Sequence, residues 1–476
     1  MSVRVGHAAE AADFPSAAKK LIRDTQLRHN VRHATDVIRG KRGRVVEELS
    51  DWEQLRASAH EVKEHTLRHL DFYLERFEEN CARAGGRVHW ARDADEANRI
   101  ITGIIKNHNG TEVIKVKTMT SDETGLNEAL EAAGIVPCET DLADLIVQLG
   151  EDKPSHIVVP ALHRNRMEIR RIFLEKMKLR ELGARPEDLT AAARNYLREK
   201  FLRVKIGISG ANFAIADTGS VVVVESEGNG RMCTSLPRVL ISLIGIEKII
   251  PKFEDLEIFL QVLPRSATGE RMNPYTSIWT GVTPGDGPEE FHVVLMDNGR
   301  THVLADAESR ETLDCIRCGA CLNACPVYRQ TGGHAYGSVY GGPIGAILTP
   351  QLQSMEHSQS LPYASSLCGA CYEVCPVKIN IPEILIHLRG KAVEQGYGPL
   401  TERVGMKVAA FALGGEGRFS IAQKLARIGQ TPFEHEGKLR NLPGMLAGWT
   451  EFRDLSAIPE QSFREWWAER KQGTDA

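Results

Sequence analysis

Seven of the ten cysteines lie between Cys315 and Cys375, in two runs that nearly repeat each other. The first run has cysteines at positions 315, 318, 321 and 325 and then a proline. The second has cysteines at 368, 371 and 375 and then a proline, with Ser365 at its first position. This C-x2-C-x2-C-x3-C-P spacing is typical of bacterial ferredoxins that bind cubane iron–sulfur clusters. The two runs therefore predict electron-transfer chemistry.

The spacing also predicts which cysteines share a cluster. Three cysteines of one run hold one cluster, and the cysteine before the proline ligates the other cluster. Crossed ligation therefore gives the first 4Fe–4S cluster the ligands Cys315, Cys318, Cys321 and Cys375. The second 4Fe–4S cluster has Cys325, Cys368 and Cys371, so it lacks one protein thiolate. The candidates for its remaining ligand are the Ser365 alkoxide, water, a partner's residue, Cys233 and a histidine such as His334. A three-iron cluster, which needs no further ligand, is another alternative.

Zinc and disulfide interpretations explain the cysteines less well. Zinc favours two separated pairs that close one tetrahedral site, which leaves the third cysteine and the proline of each run unexplained. A disulfide framework requires an oxidising compartment, and residues 1–7 lack the charged start and apolar core of a secretory leader. The cysteines outside the runs, Cys81, Cys138 and Cys233, are predicted to be buried core thiols.

Composition and charge narrow the class of protein. A length of 476 residues suggests about three domains, and a net charge of −4 gives no general nucleic-acid footprint. No apolar stretch reaches the roughly 18 residues that a spanning helix needs, and residues 239–247 are predicted to be a buried strand. We expect a cytoplasmic protein, with any membrane attachment through partners.

The pattern along the chain predicts four segments. Residues 1–86 are helical, with a capping box at Ser50–Glu53 and one apolar stripe from Trp52 to Phe77. Residues 87–304 alternate strands and helices, which predicts a mostly parallel α/β sheet with strands near 111–117, 156–160, 220–225 and 292–296. Residues 305–390 form the two-cluster ferredoxin-like module. Residues 391–476 form a tail that is first helical and then irregular.

The end of the tail is rich in aromatic residues, namely Trp449, Phe452, Phe463, Trp466 and Trp467. Such a cluster usually docks a terminal segment on the protein's own core, and capture of a partner subunit is the alternative.

Loops that follow strands are where an α/β sheet binds ligands. Residues 225–231 follow a predicted strand, and their glycines and Arg231 could bind a carboxylate; the alternative is a tight turn with a structural arginine. Lys117 also follows a strand, although a helix start capped by Thr120 or Ser121 explains that position better. The candidate substrate residues are therefore Lys117, Asn229 and Arg231.

At this point the chain resembles a known family over nearly its whole length. The resemblance rests on residues 117–127, 207–217 and 225–231, the two cysteine runs and Phe463–Trp467. These match the lactate-utilisation protein B family, the iron–sulfur subunit of the bacterial three-component L-lactate-oxidising system.

The resemblance implies a central lactate-utilisation domain related in fold to sugar-phosphate isomerases and CoA transferases. It also implies two 4Fe–4S clusters with seven ligand cysteines. The implied partners are a cysteine-rich subunit resembling heterodisulfide reductase and a second subunit with a lactate-utilisation domain.

Two functional classes follow. In the first, the protein relays electrons within a complex that oxidises L-lactate to pyruvate. In the second, the α/β domain is a complete enzyme acting on a CoA ester or phosphorylated metabolite, and the clusters sense redox state. The second class requires a catalytic carboxylate, for which Glu225 and Glu227 are the candidates. Two cluster-binding runs exceed what a sensor needs, which favours the first class.

Overall fold

The computed structural model describes residues 13–398, 400–451 and 453–474. The chain divides into two compact units, of which the first ends at Glu394 and the second begins at Gln395. The first unit thus contains the predicted N-terminal, α/β and cluster-binding segments together.

Helices form the start of the first unit, as the sequence predicts. They are α1 (Phe14–Leu21), α2 (Thr25–Glu47), α3 (Trp52–Arg68) and α4 (Leu70–Arg83). The single apolar stripe is therefore carried by two helices that break at His69. The predicted capping box at Ser50 is wrong. Asp51 precedes α3 without a side-chain cap, and the Glu53 carboxylate accepts a hydrogen bond from Arg56 instead.

The central region alternates strands and helices. Its elements are β1 (Arg87–Ala91), α5 (Ala94–Asn107), β2 (Glu112–Lys115), α6 (Met119–Glu123), α7 (Leu126–Ala132), β3 (Val136–Glu139), α8 (Leu142–Leu149), α9 (Arg166–Lys176), α10 (Pro186–Arg203), β4 (Ile206–Ser209), β5 (Phe213–Ile215), β6 (Ser220–Glu225), α11 (Asn229–Ser235), β7 (Val239–Gly245), β8 (Ile249–Ile250), α12 (Leu256–Ala267), β9 (Tyr275–Trp279), β10 (Glu290–Met296) and α13 (Arg300–Ala305).

Six of these strands form the parallel sheet that the sequence predicts, in the order β1-β10-β7-β4-β2-β3. Every residue of β7 is buried, which explains its continuous apolar sequence. Asp93 begins α5 by accepting a hydrogen bond from the Glu96 amide, and the isoleucines of that helix pack under the sheet. The α/β fold class is thereby confirmed.

A second, mixed sheet has the order β8-β5-β6-β9. Strand β6 lies here and pairs antiparallel with β5 and β9, so the loop after it does not follow a strand of the parallel sheet. The predicted strand at residues 156–160 is absent. The His156 ring accepts hydrogen bonds from the amides of Val158 and Val159, which bends the chain and prevents these residues from joining a sheet.

The cluster-binding region consists of short helices and loops. Its helices are α14 (Ala320–Ala324), α15 (Tyr328–Thr331), α16 (Gly342–Leu352), α17 (Met355–Ser358), α18 (Ala370–Glu373) and α19 (Ile381–Glu394). The segment between the cysteine runs reaches the α/β region through two tyrosine hydroxyls. Tyr328 donates to the Ser155 carbonyl oxygen, and Tyr340 donates to the Glu123 carboxylate, each at 2.6 Å.

The second unit contains α20 (Leu400–Leu413), α21 (Glu416–Gln430), β11 (Glu434–His435), β12 (Lys438–Leu439), α22 (Ala447–Thr450), β13 (Leu455–Ser456) and α23 (Phe463–Thr474). The aromatic end is therefore helical, not irregular. Trp449, Phe463, Trp466 and Trp467 are exposed, and Phe452 lies outside the described residues.

Candidate functional site

The two cysteine runs fold into nearly the same backbone turn. In the first, Arg317 and Gly319 have φ angles of 61° and 73°; in the second, Leu367 and Gly369 have φ angles of 54° and 83°. Glycine is the residue that adopts such angles without strain, which explains the C-G-A sequence in both runs. The turn before α14 and the turn before α18 therefore present their cysteines in equivalent positions.

One group of thiols combines the start of the first run with the end of the second. Cys315, Cys318, Cys321 and Cys375 line the same narrow cavity, and three of them are buried. Burial raises the pKa of Cys375, and the charge of Cys318 raises it further. The structure thus brings together the four cysteines that crossed ligation assigns to one cluster.

The remaining three cysteines form a second group. Burial raises the pKa of Cys371 to about 12, and the next contribution is the charge of Cys325. Burial also raises the pKa of Cys325, with an added effect of Cys368. Cys325 and Cys371 are buried, whereas Cys368 is exposed. This group therefore reaches the protein surface.

The sulfurs of both groups are spaced more widely than the ligands of a single zinc ion. In the described part of the chain, no three cysteine sulfurs lie within 4.8 Å of one another, whereas Zn–S bonds of about 2.3 Å would hold them closer. Backbone amides of Arg317, Tyr328 and Ile379 donate hydrogen bonds to the sulfurs of Cys315, Cys325 and Cys375. Such bonds help to set the potential of an iron–sulfur cluster.

Cationic side chains accompany the first group. Arg42 of α2 donates to the Val374 carbonyl oxygen at 3.2 Å, and Arg56 of α3 donates to the Cys375 carbonyl oxygen at 2.8 Å. Arg56 is 5% exposed. These arginines would offset the negative charge of a thiolate-ligated cluster, so the N-terminal helices contribute to this site.

The position equivalent to Cys315 in the second run is Ser365. Its hydroxyl oxygen accepts a hydrogen bond from the Leu367 amide at 3.1 Å. The other candidates for the eighth ligand lie elsewhere. Cys233 is fully buried against the Thr140 hydroxyl at 3.3 Å, and His334 bonds to the Lys153 carbonyl oxygen. Cys81 and Cys138 are buried thiols, as predicted.

A cavity of about 310 Å³ lies beyond the carboxyl ends of β2 and β4, where an open α/β sheet usually binds ligands. Lys117 and Asn229 line this cavity. Lys117 also forms an ion pair with Asp144 at 3.3 Å, and Thr118 caps the following helix in place of the predicted Thr120 or Ser121. Arg231 is exposed on α11 and is not among the lining residues, so the structure does not bring it together with Lys117.

Glu225 and Glu227 also line the cavity, but backbone amides occupy both carboxylates. Glu225 accepts a hydrogen bond from the Arg231 amide at 2.7 Å, so the loop at residues 225–231 binds one of its own carboxylates. Glu227 accepts from the Leu142 amide at 3.0 Å. Burial of the Glu227 carboxylate, with the charge of Asp141, raises its pKa to about 7. The amides of Arg231 and Leu142 therefore hold one oxygen of each carboxylate in place.

Arg317 connects the cavity to the first cysteine run, because it lines the cavity and lies between Cys315 and Cys318. Its guanidinium pairs with Glu247 at 3.2 Å and lies 4.9 Å from the centre of the Tyr340 ring. Although burial favours a neutral carboxyl, the charges of Arg300 and Arg317 lower the pKa of Glu247 to about 2. The sequence analysis missed Arg317, whose position inside a cysteine run was the available signal.

Comparisons with known proteins agree with this architecture. Residues 74–296 match the LUD domain, residues 311–379 match the 4Fe-4S dicluster domain, and residues 387–472 match the family "Lactate utilisation protein B, C-terminal". The chain is thus an LUD-domain protein with an iron–sulfur dicluster domain.

Two relatives are named lactate utilization protein B. The relative from Bacillus licheniformis is 45% identical and covers 94% of each chain. The relative from Bacillus subtilis is 44% identical and covers 99% of this chain and 98% of its own. At this identity and coverage, the chain belongs to the lactate utilization protein B family.

A solved DUF162 family protein from Deinococcus radiodurans is 13% identical over 48% of this chain and 98% of its own, with a TM-score of 0.27. That similarity is too low to carry an argument. Among the described residues, no helix is long and apolar enough to cross a membrane.

Proposed function

We propose that this protein is the iron–sulfur electron-transfer subunit of a complex that oxidises L-lactate to pyruvate. The observation that carries the proposal is the division of the cysteines into two groups that exchange Cys325 and Cys375 between the runs. This division supports two 4Fe–4S clusters with crossed ligation, as in ferredoxins that hold two clusters.

The order of the sites supports a direction of electron flow. The cavity adjoins the first cysteine group through Arg317. The charge of Cys371 contributes to the raised pKa of Cys321, after burial and the charges of Cys318 and Cys315, so the two groups are neighbours. Cys368 of the second group is exposed. Electrons would therefore pass from the cavity to the first cluster, then to the second, and leave at the surface.

Two clusters suit the stoichiometry of this oxidation. Conversion of lactate to pyruvate releases two electrons and two protons, and each 4Fe–4S cluster accepts one electron. We propose that the electrons leave to a cysteine-rich subunit resembling heterodisulfide reductase, and that a second LUD-domain subunit completes the complex. Any membrane attachment would come through these partners.

Lys117 and Asn229 are proposed to contact the substrate, because both face the cavity. Arg231 remains a predicted substrate residue that would act from outside the cavity. Replacing Asn229 and Arg231 separately with alanine tests whether the residue inside the cavity and the residue outside it both contact the substrate. A contribution from Arg231 requires that Arg231→Ala raises the KM for lactate in a complex that retains its iron.

The function is tested by anaerobic purification of this protein alone and with the proposed partner subunits. We expect about eight iron atoms with matching sulfide, and lactate-dependent dye reduction only by the assembled complex. Bound zinc with negligible iron would contradict the proposal, and so would a complete complex that does not reduce the dye when lactate is added. Turnover of CoA esters by this chain alone would support the alternative enzyme.

A further inference from the structure

Lys248 is a buried lysine that faces the cavity. It ends a short 3₁₀ turn, Ile246–Lys248, that follows β7, and it is 7% exposed. Within the described part of the chain, its ammonium group has no hydrogen bond and no ion pair. A buried charge without a partner is costly, so proteins rarely keep one unless a ligand supplies the counter-charge.

The neighbouring cations are held by protein groups. Lys117 pairs with Asp144, and Arg317 pairs with Glu247 while also donating to the Cys315 carbonyl oxygen at 3.3 Å. These contacts fix the Arg317 guanidinium at the wall that the cavity shares with the first cysteine run. Lys248 lines the same cavity and retains three donors for a ligand.

The cavity also contains acidic groups. Asp141, Glu225 and Glu227 line it together with Lys248 and Arg317. A ligand with one carboxylate can pair with the basic residues, whereas a second carboxylate would be repelled by the acidic ones. The hydroxyl and amide groups of Thr118, Asn212 and Asn229 line the cavity as well and could bind a hydroxyl or keto oxygen.

We propose that Lys248 and Arg317 bind the carboxylate of a small 2-hydroxy or 2-oxo monocarboxylic acid in this cavity, beside the first cysteine run. The inference rests on the proposed function and deepens it, because it places the acid that is oxidised next to the cluster that takes the electrons. Lys248 is a binding residue in this account, and the acidic residues exclude dicarboxylic acids.

Titration calorimetry on the anaerobically purified, iron-loaded chain tests the site with L-lactate, pyruvate and L-malate. We expect the wild type to bind both monocarboxylates at least tenfold more tightly than L-malate. Lys248→Met should weaken monocarboxylate binding at least tenfold, and Lys248→Arg should retain more of it because the charge is kept. Lys252→Met is the matched control, since Lys252 is exposed four residues further on.

Iron content and the electron paramagnetic resonance spectrum should be the same in the wild type and in Lys248→Met, because lysine is not a cluster ligand. Equal lactate affinity in these two proteins would overturn the proposal, as would malate binding as tight as lactate binding. If Lys248→Met does not load iron, Lys248→Arg and Lys248→Gln are compared, and equal lactate affinity in these two variants would overturn the proposal.

Failure of this inference is distinguishable from failure of the proposed function. If the wild-type complex reduces dye with lactate and Lys248→Met leaves the KM unchanged, the binding site is wrong and the function stands. If the chain binds monocarboxylates through Lys248 but its complex never oxidises lactate, the binding site stands and the function is wrong.

Discussion

Ser365 occupies in the second cysteine run the position that Cys315 occupies in the first. The Ser365 hydroxyl oxygen accepts a hydrogen bond from the Leu367 amide at 3.1 Å, and the Cys315 sulfur accepts one from the Arg317 amide at 3.4 Å. The serine oxygen therefore lies in the position equivalent to that of the Cys315 sulfur. A neutral serine hydroxyl binds iron less strongly than a thiolate does, so a second cluster bound at this position would have one weakly held vertex.

That weak vertex predicts a difference in oxidative stability. Mild oxidation should release one iron from the second cluster and give a three-iron signal in electron paramagnetic resonance. Ser365→Cys should suppress this signal, because a thiolate at that position completes the site. Ser366→Cys is the control, since Ser366 is the exposed neighbour and should leave the signal unchanged. Equal resistance of both clusters in the wild type would contradict the prediction.

Crossed ligation predicts which variants resemble one another. Cys375→Ser should perturb the same cluster signal as Cys318→Ser, although the two residues belong to different runs. Cys325→Ser should resemble Cys371→Ser for the same reason. Spectra and iron content of the four variants provide the measurement. If Cys375→Ser matches Cys371→Ser instead, each run holds its own cluster and the assignment is wrong.

Two buried lysines should respond oppositely to replacement by methionine. No described residue forms a hydrogen bond or an ion pair with the Lys248 ammonium group, and burial lowers the pKa of Lys248 to about 7. Lys248→Met should therefore stabilise the iron-loaded protein by about 1 kcal/mol or more. Lys115 pairs with Glu139 at 2.8 Å, and Lys115→Met should cost about 3–5 kcal/mol because it leaves a buried carboxylate unpaired. Thermal unfolding under anaerobic conditions measures both, and a loss of stability in Lys248→Met would indicate a structural lysine.

His292 should make stability depend on pH in the acid range. Burial, together with the neighbouring His89, lowers the pKa of His292 to about 4 from an ordinary value of 6.5. Between these values the unfolded chain binds a proton that the folded protein excludes, so stability falls as the pH falls. The loss should be about 2 kcal/mol by pH 5.

The slope of stability between pH 7 and pH 5 should therefore be shallower in His292→Gln. His29→Gln is the control, because His29 is exposed on α2. Parallel pH profiles for the wild type and His292→Gln would show that His292 is not the group responsible.

The sequence predicted best where the signal is local. The cysteine spacing predicted the repeated turn, and the apolar run at residues 239–247 predicted the buried strand that the structure shows at Val239–Gly245. The prediction of a strand at residues 156–160 rested on their β-branched composition and was wrong. The Val158 and Val159 amides donate hydrogen bonds to the His156 ring and not to a neighbouring strand. Residue propensities do not describe a hydrogen bond between one particular side chain and the backbone.

The cavity residues were predicted only in part for a different reason. Lys117 follows β2 of the parallel sheet, so strand order was informative for it, whereas Asn229 follows β6 of the second sheet. Arg317 and Lys248 depend on Glu247 and on packing between segments some 70 residues apart. Lys248 is distinguished by its burial and by the lack of a hydrogen bond or ion pair with any residue that the structure describes, and neither property can be derived from residue type.

The buried charges around Glu247 have a practical consequence for dividing the chain. Arg300 bonds to both Glu123 and Glu247, while Arg317 and Tyr340 reach the same carboxylates from the cluster-binding region. A truncation at residue 304 would remove Arg317 and Tyr340 and expose the interior faces of both acids to water. The LUD segment therefore shares buried ion pairs with the cluster-binding region, and expression trials should retain the chain through Glu394.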